Sequence, residues 1–110
     1  MKTFLLLALV AVTAFAAQPQ TIQGRITDPA GAVIPNAHVL LINLQTLKTW
    51  DSQADQKGGF SFPDLPAGKY EIKVAYPAFL TYSKQIQLTE SRPVTITVKM
   101  KFDPQTSVVY

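Results

Sequence analysis

The stretch Asp55 to Tyr70, DQKGGFSFPDLPAGKY, places two turns with strict backbone demands around a run that is apolar at every second position. Asp55 and Gly58 occupy the first and fourth places of a type I turn. Phe60 and Phe62 then alternate with Gly59 and Ser61, the period of a strand with one buried face. Leu65 can anchor the second turn in a core, Pro66 presets φ, and Gly68 can take a positive φ. Tyr70 then opens a new alternating run. Two strands joined at such a corner predict a β-sandwich.

Upstream and downstream the same period recurs. Thr21 to Asp28 alternates, with Ile22, Gly24 and Ile26 on one face and Gln23, Arg25 and Thr27 on the other. Pro29 to Asn36 reads as a loop, followed by a strand over Ala37–Leu44. Further strands are expected at Thr49–Ala54, Gly59–Phe62, Tyr70–Ala75, Thr81–Leu88 and Val94–Phe102. No part of the chain after the first 16 residues has helical periodicity. Seven short strands punctuated by Gly, Pro and Asp predict an all-β, seven-stranded, two-sheet Greek-key sandwich.

The second strand is apolar on both faces. Val39 and Leu41 suit the core, which turns Leu40, Ile42 and Leu44 outward. An uncovered apolar row on an exported protein usually marks a contact, so these three are the candidate partner surface, for a docked protein or a homodimer. The competing reading is a twist or bulge that lets loops cover both sets.

Lys2, the apolar run Phe4–Val12 and the Ala14-Phe15-Ala16 triplet have the form of a signal peptide cleaved after Ala16. The apolar stretch is shorter than the roughly 20 residues of a spanning helix. The expected destination is secreted or periplasmic, with no membrane span after cleavage. Removing 16 of 110 residues leaves 94, enough for one sandwich and too few for two. The expected organisation is therefore a signal peptide (1–16), a sandwich domain (17–102) and a tail (103–110). With no cysteine, neither a lipid anchor on a thiol nor a disulfide is available, and the core must supply the stability. The lysines are scattered singly, without an Arg cluster, so no nucleic-acid partner is expected.

The pattern Asp55-x-x-Gly58-x-Phe60-x-Phe62-x-x-Leu65-Pro66-x-Gly68-x-Tyr70, with Asp28-x-x-Gly31-x-x-Ile34-Pro35-x-Ala37-x-Val39 before it, resembles the carboxypeptidase regulatory-like domain family. The resemblance spans about Thr21 to Met100 and implies a transthyretin-like (prealbumin-like) sandwich. Asn36 and Ala78 stand where that family commonly has glycine. Such modules occur on peptidases, outer-membrane receptors and adhesive surface proteins, and related folds bind starch, so the resemblance implies fold more than function.

Catalytic chemistry finds little to work with. His38 is the sole histidine, and the seven acidic residues are spread singly through turns. Zinc and non-haem iron want three or four convergent ligands, so no metal and no cofactor is expected, and His38 reads as a surface or packing residue. Ser52, Ser61, Ser83, Ser91 and Ser107 lack a strained elbow. Hydroxyisourate hydrolase and the intradiol dioxygenases resemble this architecture, but their sites use several His residues that this chain does not have. The tail, with Val108, Val109 and Tyr110, reads as fraying or as a strand added to a partner's sheet. Trp50, Tyr76 and Tyr82 are the candidate glycan-stacking residues, and the competing reading makes them core plugs, as expected for Phe79. The sequence thus predicts a non-enzymatic exported module with a structural or protein-interaction role. Its alternative is a carbohydrate-binding module of starch-binding-like fold, whose partner is a polysaccharide.

Overall fold

In a computed structural model the described residues are 19–90 and 92–105. The expected signal peptide and the tail beyond Gln105 lie outside them. Seven strands form: β1 Gln20–Thr27, β2 His38–Asn43, β3 Thr49–Gln53, β4 Gly59–Leu65, β5 Gly68–Ala75, β6 Tyr82–Leu88 and β7 Val94–Lys99. They make two sheets, one ordered β4-β1-β7 and the other β3-β2-β5-β6. All neighbours are antiparallel except β1 and β7, which run parallel.

The core is where the two alternating rows meet. Ile22, Ile26, Phe60, Phe62, Ile96 and Val98 come from the first sheet, and Val39, Leu41, Tyr70, Ile72, Val74, Ile86 and Leu88 from the second. All are buried, which is the expected parity of each strand. Gly24 sits inside this packing for a steric reason. A Cβ there would lie 2.3 Å from the Ile96 carbonyl oxygen and 2.7 Å from Phe60 Cζ. The missing side chain is the space that the Phe60 ring occupies.

Two turns of one design close the loops beside this core. The Gly58 amide donates to the Asp55 carbonyl at 3.0 Å, while Lys57 and Gly59 amides both donate to Asp55 Oδ1 at 2.8 Å. Asp28 repeats the arrangement. Its carbonyl accepts from Gly31 at 3.0 Å and its Oδ1 from Ala30 and Ala32 at 2.9 Å. The glycines stand at φ 73° and 89°, where a Cβ is disfavoured. The amide bonds from Gly59 and Lys57 hold the Asp55 carboxyl below its usual range.

Several strand boundaries differ from the sequence reading. β4 continues past Phe62 to Leu65, because Gln20 pairs with Leu65 across an irregularity in β1. Pro63, which cannot donate, and Asp64 at φ 58° are accommodated because β4 is an edge strand. β5 begins two residues early, where Gly68 pairs with Leu88. β7 stops at Lys99 rather than Phe102, since the chain then crosses over to 78–80. There the Leu80 amide donates to the Lys101 carbonyl at 2.8 Å and Phe102 bridges Phe79.

Tyr70 locks the second corner. Its ring is fully buried and its hydroxyl donates to the Pro66 carbonyl at 2.6 Å, four residues back. Burial pushes the hydroxyl pKa up, offset in part by a hydrogen bond with Asn43. Asn43 is itself buried, and its Oδ1 accepts from the Gln45 and Thr46 amides at 2.9 and 3.0 Å to shape the β2–β3 hairpin.

Candidate interaction surface

β2 lies between β3 and β5, so its outward side chains form the middle of the solvent face of the four-stranded sheet. Leu40 stands between Asp51 and Lys73, and Ile42 between Thr49 and Glu71. Leu44 continues the line, its amide donating to the Lys69 carbonyl at 2.9 Å. All three are partly exposed. The row faces outward as its parity demands, and it is only partly exposed beside the paired residues of β3 and β5.

Charge frames this row. His38 Nε2 lies 2.7 Å from Asp51 Oδ1 at one margin, with both side chains mostly exposed. At the other margin Ser83 Oγ donates to Glu71 Oε1 at 2.8 Å, and Lys73 Nζ is 4.0 Å from the same oxygen. Exposed pairs of this kind contribute about 0–1 kcal/mol each. Their effect is to fix which charges stand beside the apolar strip. His38 is thus a surface residue paired with a carboxylate. Among the described residues no three His, Cys, Asp or Glu side chains gather into a metal-binding group.

The aromatic candidates lie elsewhere. Trp50 is opposite Leu41, on the inward row, with its ring 5.8 Å from that of Tyr70 and Lys48 Nζ 5.0 Å from its centroid. Tyr82 is opposite Val74, also inward. Tyr76 meets Phe79 edge-on at 6.0 Å, and Phe79 stacks on Phe102 at 4.8 Å. Trp50, Tyr76, Phe79 and Tyr82 are all partly buried against the core. The structure brings Phe102 and Leu80 to the same end, where they are 59% and 46% exposed. Sequence reasoning placed Phe102 at the end of a strand and missed this cluster, because the crossover that builds it has no local signature.

A second feature was also missed. On the three-stranded sheet a shallow trough of about 600 Å³ is lined by Gln23, Arg25, Ser61, Thr95 and Thr97, with Asp55 at its edge. Most of its lining side chains can hydrogen-bond; Phe60 and Ile96 are its apolar members, and Ser52 and Gln53 reach it from β3 of the other sheet. Gln23 Nε2 donates to Thr95 Oγ1 at 3.3 Å across it.

The family model for the carboxypeptidase regulatory-like domain matches residues 21–101. The chain belongs to that family. No curated protein matches it significantly. Among solved structures, BcpA, the major pilin subunit of Bacillus cereus, superposes with a TM-score of 0.67 at 15% identity, covering 78% of this chain and 31% of that one. The catechol 1,2-dioxygenase of Acinetobacter radioresistens gives 0.67 at 11% identity, covering 84% and 56%. A putative carbohydrate binding protein of Pseudomonas aeruginosa gives 0.56 at 18% identity, covering 74% and 88%. At these identities the likeness establishes the fold, and this member of the family spans less than half the length of the pilin chains it matches. Among its described residues no helix is long and apolar enough to cross a membrane.

Proposed function

We propose that this family member is an exported, non-catalytic sandwich module that binds a protein partner through the outer face of its four-stranded sheet. The Leu40-Ile42-Leu44 row carries the reading. A sheet face with water on one side normally alternates apolar-in and polar-out; β2 departs from that rule at Leu40 and Ile42, and Leu44, the residue just past its end, continues the row. The fitting partner presents an apolar ridge flanked by charges complementary to Asp51 on one side and to the alternating Lys69, Glu71 and Lys73 on the other. Export through a cleaved signal peptide to the periplasm or beyond belongs to the same reading.

The test compares the chain with its Leu40→Asp/Ile42→Asp variant as bait, with proteins of the exporting cell as prey. The reading expects one partner to be retained by the parent and lost from the variant, while both baits keep the same circular dichroism. Identical capture by both refutes it. Intact mass of the exported product, expected to begin at Ala17 or Gln18, tests the cleavage, and a retained Met1 refutes it.

A second reading, carbohydrate binding, draws support from the polar trough, whose Gln, Arg, Ser and Thr side chains suit sugar hydroxyls. Trp50, Tyr76 and Tyr82 are half-buried against the core, which limits the ring surface left for stacking. Titration with soluble polysaccharides that perturbs Trp50 fluorescence would favour this reading with the aromatic residues as its site. Binding abolished by Arg25→Ala with fluorescence unchanged would assign it to the trough.

A further inference from the structure

Among the described residues each sheet ends in two strands with no further strand beside them: β4 and β7 in one, β3 and β6 in the other. An open edge is a row of unpaired N–H and C=O groups ready to accept another strand, and folded proteins usually guard it with proline, bulges, short length or inward charge. Three of these edges are guarded. β4 contains Pro63 and the left-handed Asp64. β3 is only five residues long. β6 directs Lys84 into the inward row, opposite Ile72. β7 has no such device from Val94 to Val98.

The backbone of β7 is oriented by two bonds just beyond it. The Met100 amide donates to the Thr27 carbonyl in β1 at 2.8 Å, and the Lys101 carbonyl, pointing the other way, accepts from the Leu80 amide at 2.8 Å. Strand geometry alternates these directions. The N–H and C=O groups of Val94, Ile96 and Val98 therefore address β1, and those of Thr95, Thr97 and Lys99 address the open edge.

Val94 to Val98 reads VTITV, the same in either direction. We propose that two copies of this chain join by antiparallel pairing of β7 with β7, about a two-fold axis through Ile96. Thr95 of one copy then faces Thr97 of the other, and each such pair exchanges two N–H···O bonds. Ile96 faces Ile96 and Val94 faces Val98 on the inward side, while the threonines pair on the outer side. Lys99 faces Pro93, whose carbonyl can accept the Lys99 amide and whose missing N–H ends the ladder. No like charges stand directly opposite in this register. The product is one six-stranded sheet ordered β4-β1-β7-β7-β1-β4. An edge-to-edge contact of this size belongs to the weak class of interfaces, under about 1,200 Å².

This surface is on the other sheet from the Leu40 row, so the two proposals stand or fall separately. The test uses the chain purified from the exporting cell, which has no cysteine of its own. Paired residues across such a ladder have Cα atoms about 5.5 Å apart, within disulfide range. Thr95→Cys and Thr97→Cys chains, mixed and oxidised, should therefore crosslink to each other, with little product from either alone. Sedimentation equilibrium should show a concentration-dependent dimer that Thr97→Pro abolishes. Thr97 directs its N–H to the open edge, so that substitution removes no bond to β1, and an unchanged circular dichroism spectrum confirms folding. A chain that stays monomeric up to millimolar concentration overturns the proposal, as does crosslinking that is no stronger in the mixture than in either single variant.

Discussion

Gly24→Ala is the perturbation in which the geometry of this fold is most exposed. The added methyl would meet the Ile96 carbonyl oxygen at 2.3 Å, Phe60 Cζ at 2.7 Å and Ile96 Cγ1 at 2.9 Å. The side-chain overlaps can be relieved by rotation. The carbonyl overlap cannot, because Ile96 is paired with Gly24 in the parallel β1–β7 ladder and its carbonyl points at β1. Raising 2.3 Å to the 3.0 Å below which real Cβ atoms essentially never come requires the strands to part by about 0.7 Å. Ladder bonds near 2.9 Å would then stretch to about 3.6 Å, beyond useful hydrogen-bonding distance. Overpacking costs about 1–3 kcal/mol, and a buried polar group left unpaired costs about 1–3 kcal/mol more. The sum, about 2–6 kcal/mol, is a large part of the roughly 5–15 kcal/mol by which a domain is stable. Since 1 kcal/mol moves the Tm of a domain this size by about 4–8 °C, a fall of at least about 8 °C is expected in thermal denaturation. Adding Phe60→Leu to Gly24→Ala separates the two contacts. It should leave most of the loss in place, because the ring is gone and the carbonyl is not. A Gly24→Ala protein within about 0.5 kcal/mol of the parent, the range of an ordinary surface substitution, would refute the reasoning.

Tyr70→Phe removes the donor to the Pro66 carbonyl and should cost about 0.5–1.5 kcal/mol in urea denaturation. The raised Tyr70 pKa adds a pH dependence, since folding favours the neutral phenol. That stabilisation is present below pH 10.0 and is lost as pH rises toward the folded pKa, a loss absent from Tyr70→Phe. Asp55 behaves in the opposite sense. Its lowered pKa means that the ionised turn stabilises the fold above pH 3.8, and that this contribution fades as pH falls through the folded value. Urea midpoints measured from pH 6 to pH 2 should therefore fall less steeply for Asp55→Asn than for the parent. Ala78 stands at φ 72°, a conformation costing a residue with a Cβ about 1–2 kcal/mol. Against a Gly entropy penalty of about 0.4–1 kcal/mol, Ala78→Gly should be neutral to stabilising by about 1.5 kcal/mol, read as an unchanged or raised Tm. Asn36 at φ 64° should gain less from the same change, because its short polar side chain already tolerates that region.

Much of the fold was legible because its determinants are local. Asp28 and Asp55 bind amides two and four residues ahead, so their turns can be read from spacing alone. The parity of Tyr70, Ile72 and Val74 told which side would be buried, and all three are. The outward direction of Leu40, Ile42 and Leu44 followed from the same parity. Their degree of exposure did not, because Asp51, Lys73, Thr49 and Glu71 stand beside them only once β3 and β5 have paired with β2 in register. Trp50 is the sharper case. The sequence left it open between a stacking surface and a core plug, and pairing with Leu41 turned its ring toward Tyr70.

From the sequence alone came the strands, the corners and the sidedness of each strand, since alternation and turn geometry act over a few residues of backbone. Tertiary structure alone decided that β7 lies parallel to β1 with no other described strand on its far side, that Phe102 stacks on Phe79, and that Gly24 makes room for Phe60. Those facts depend on which distant segments meet and at what register. Neighbouring side chains carry no record of that choice until the two sheets close on a common core.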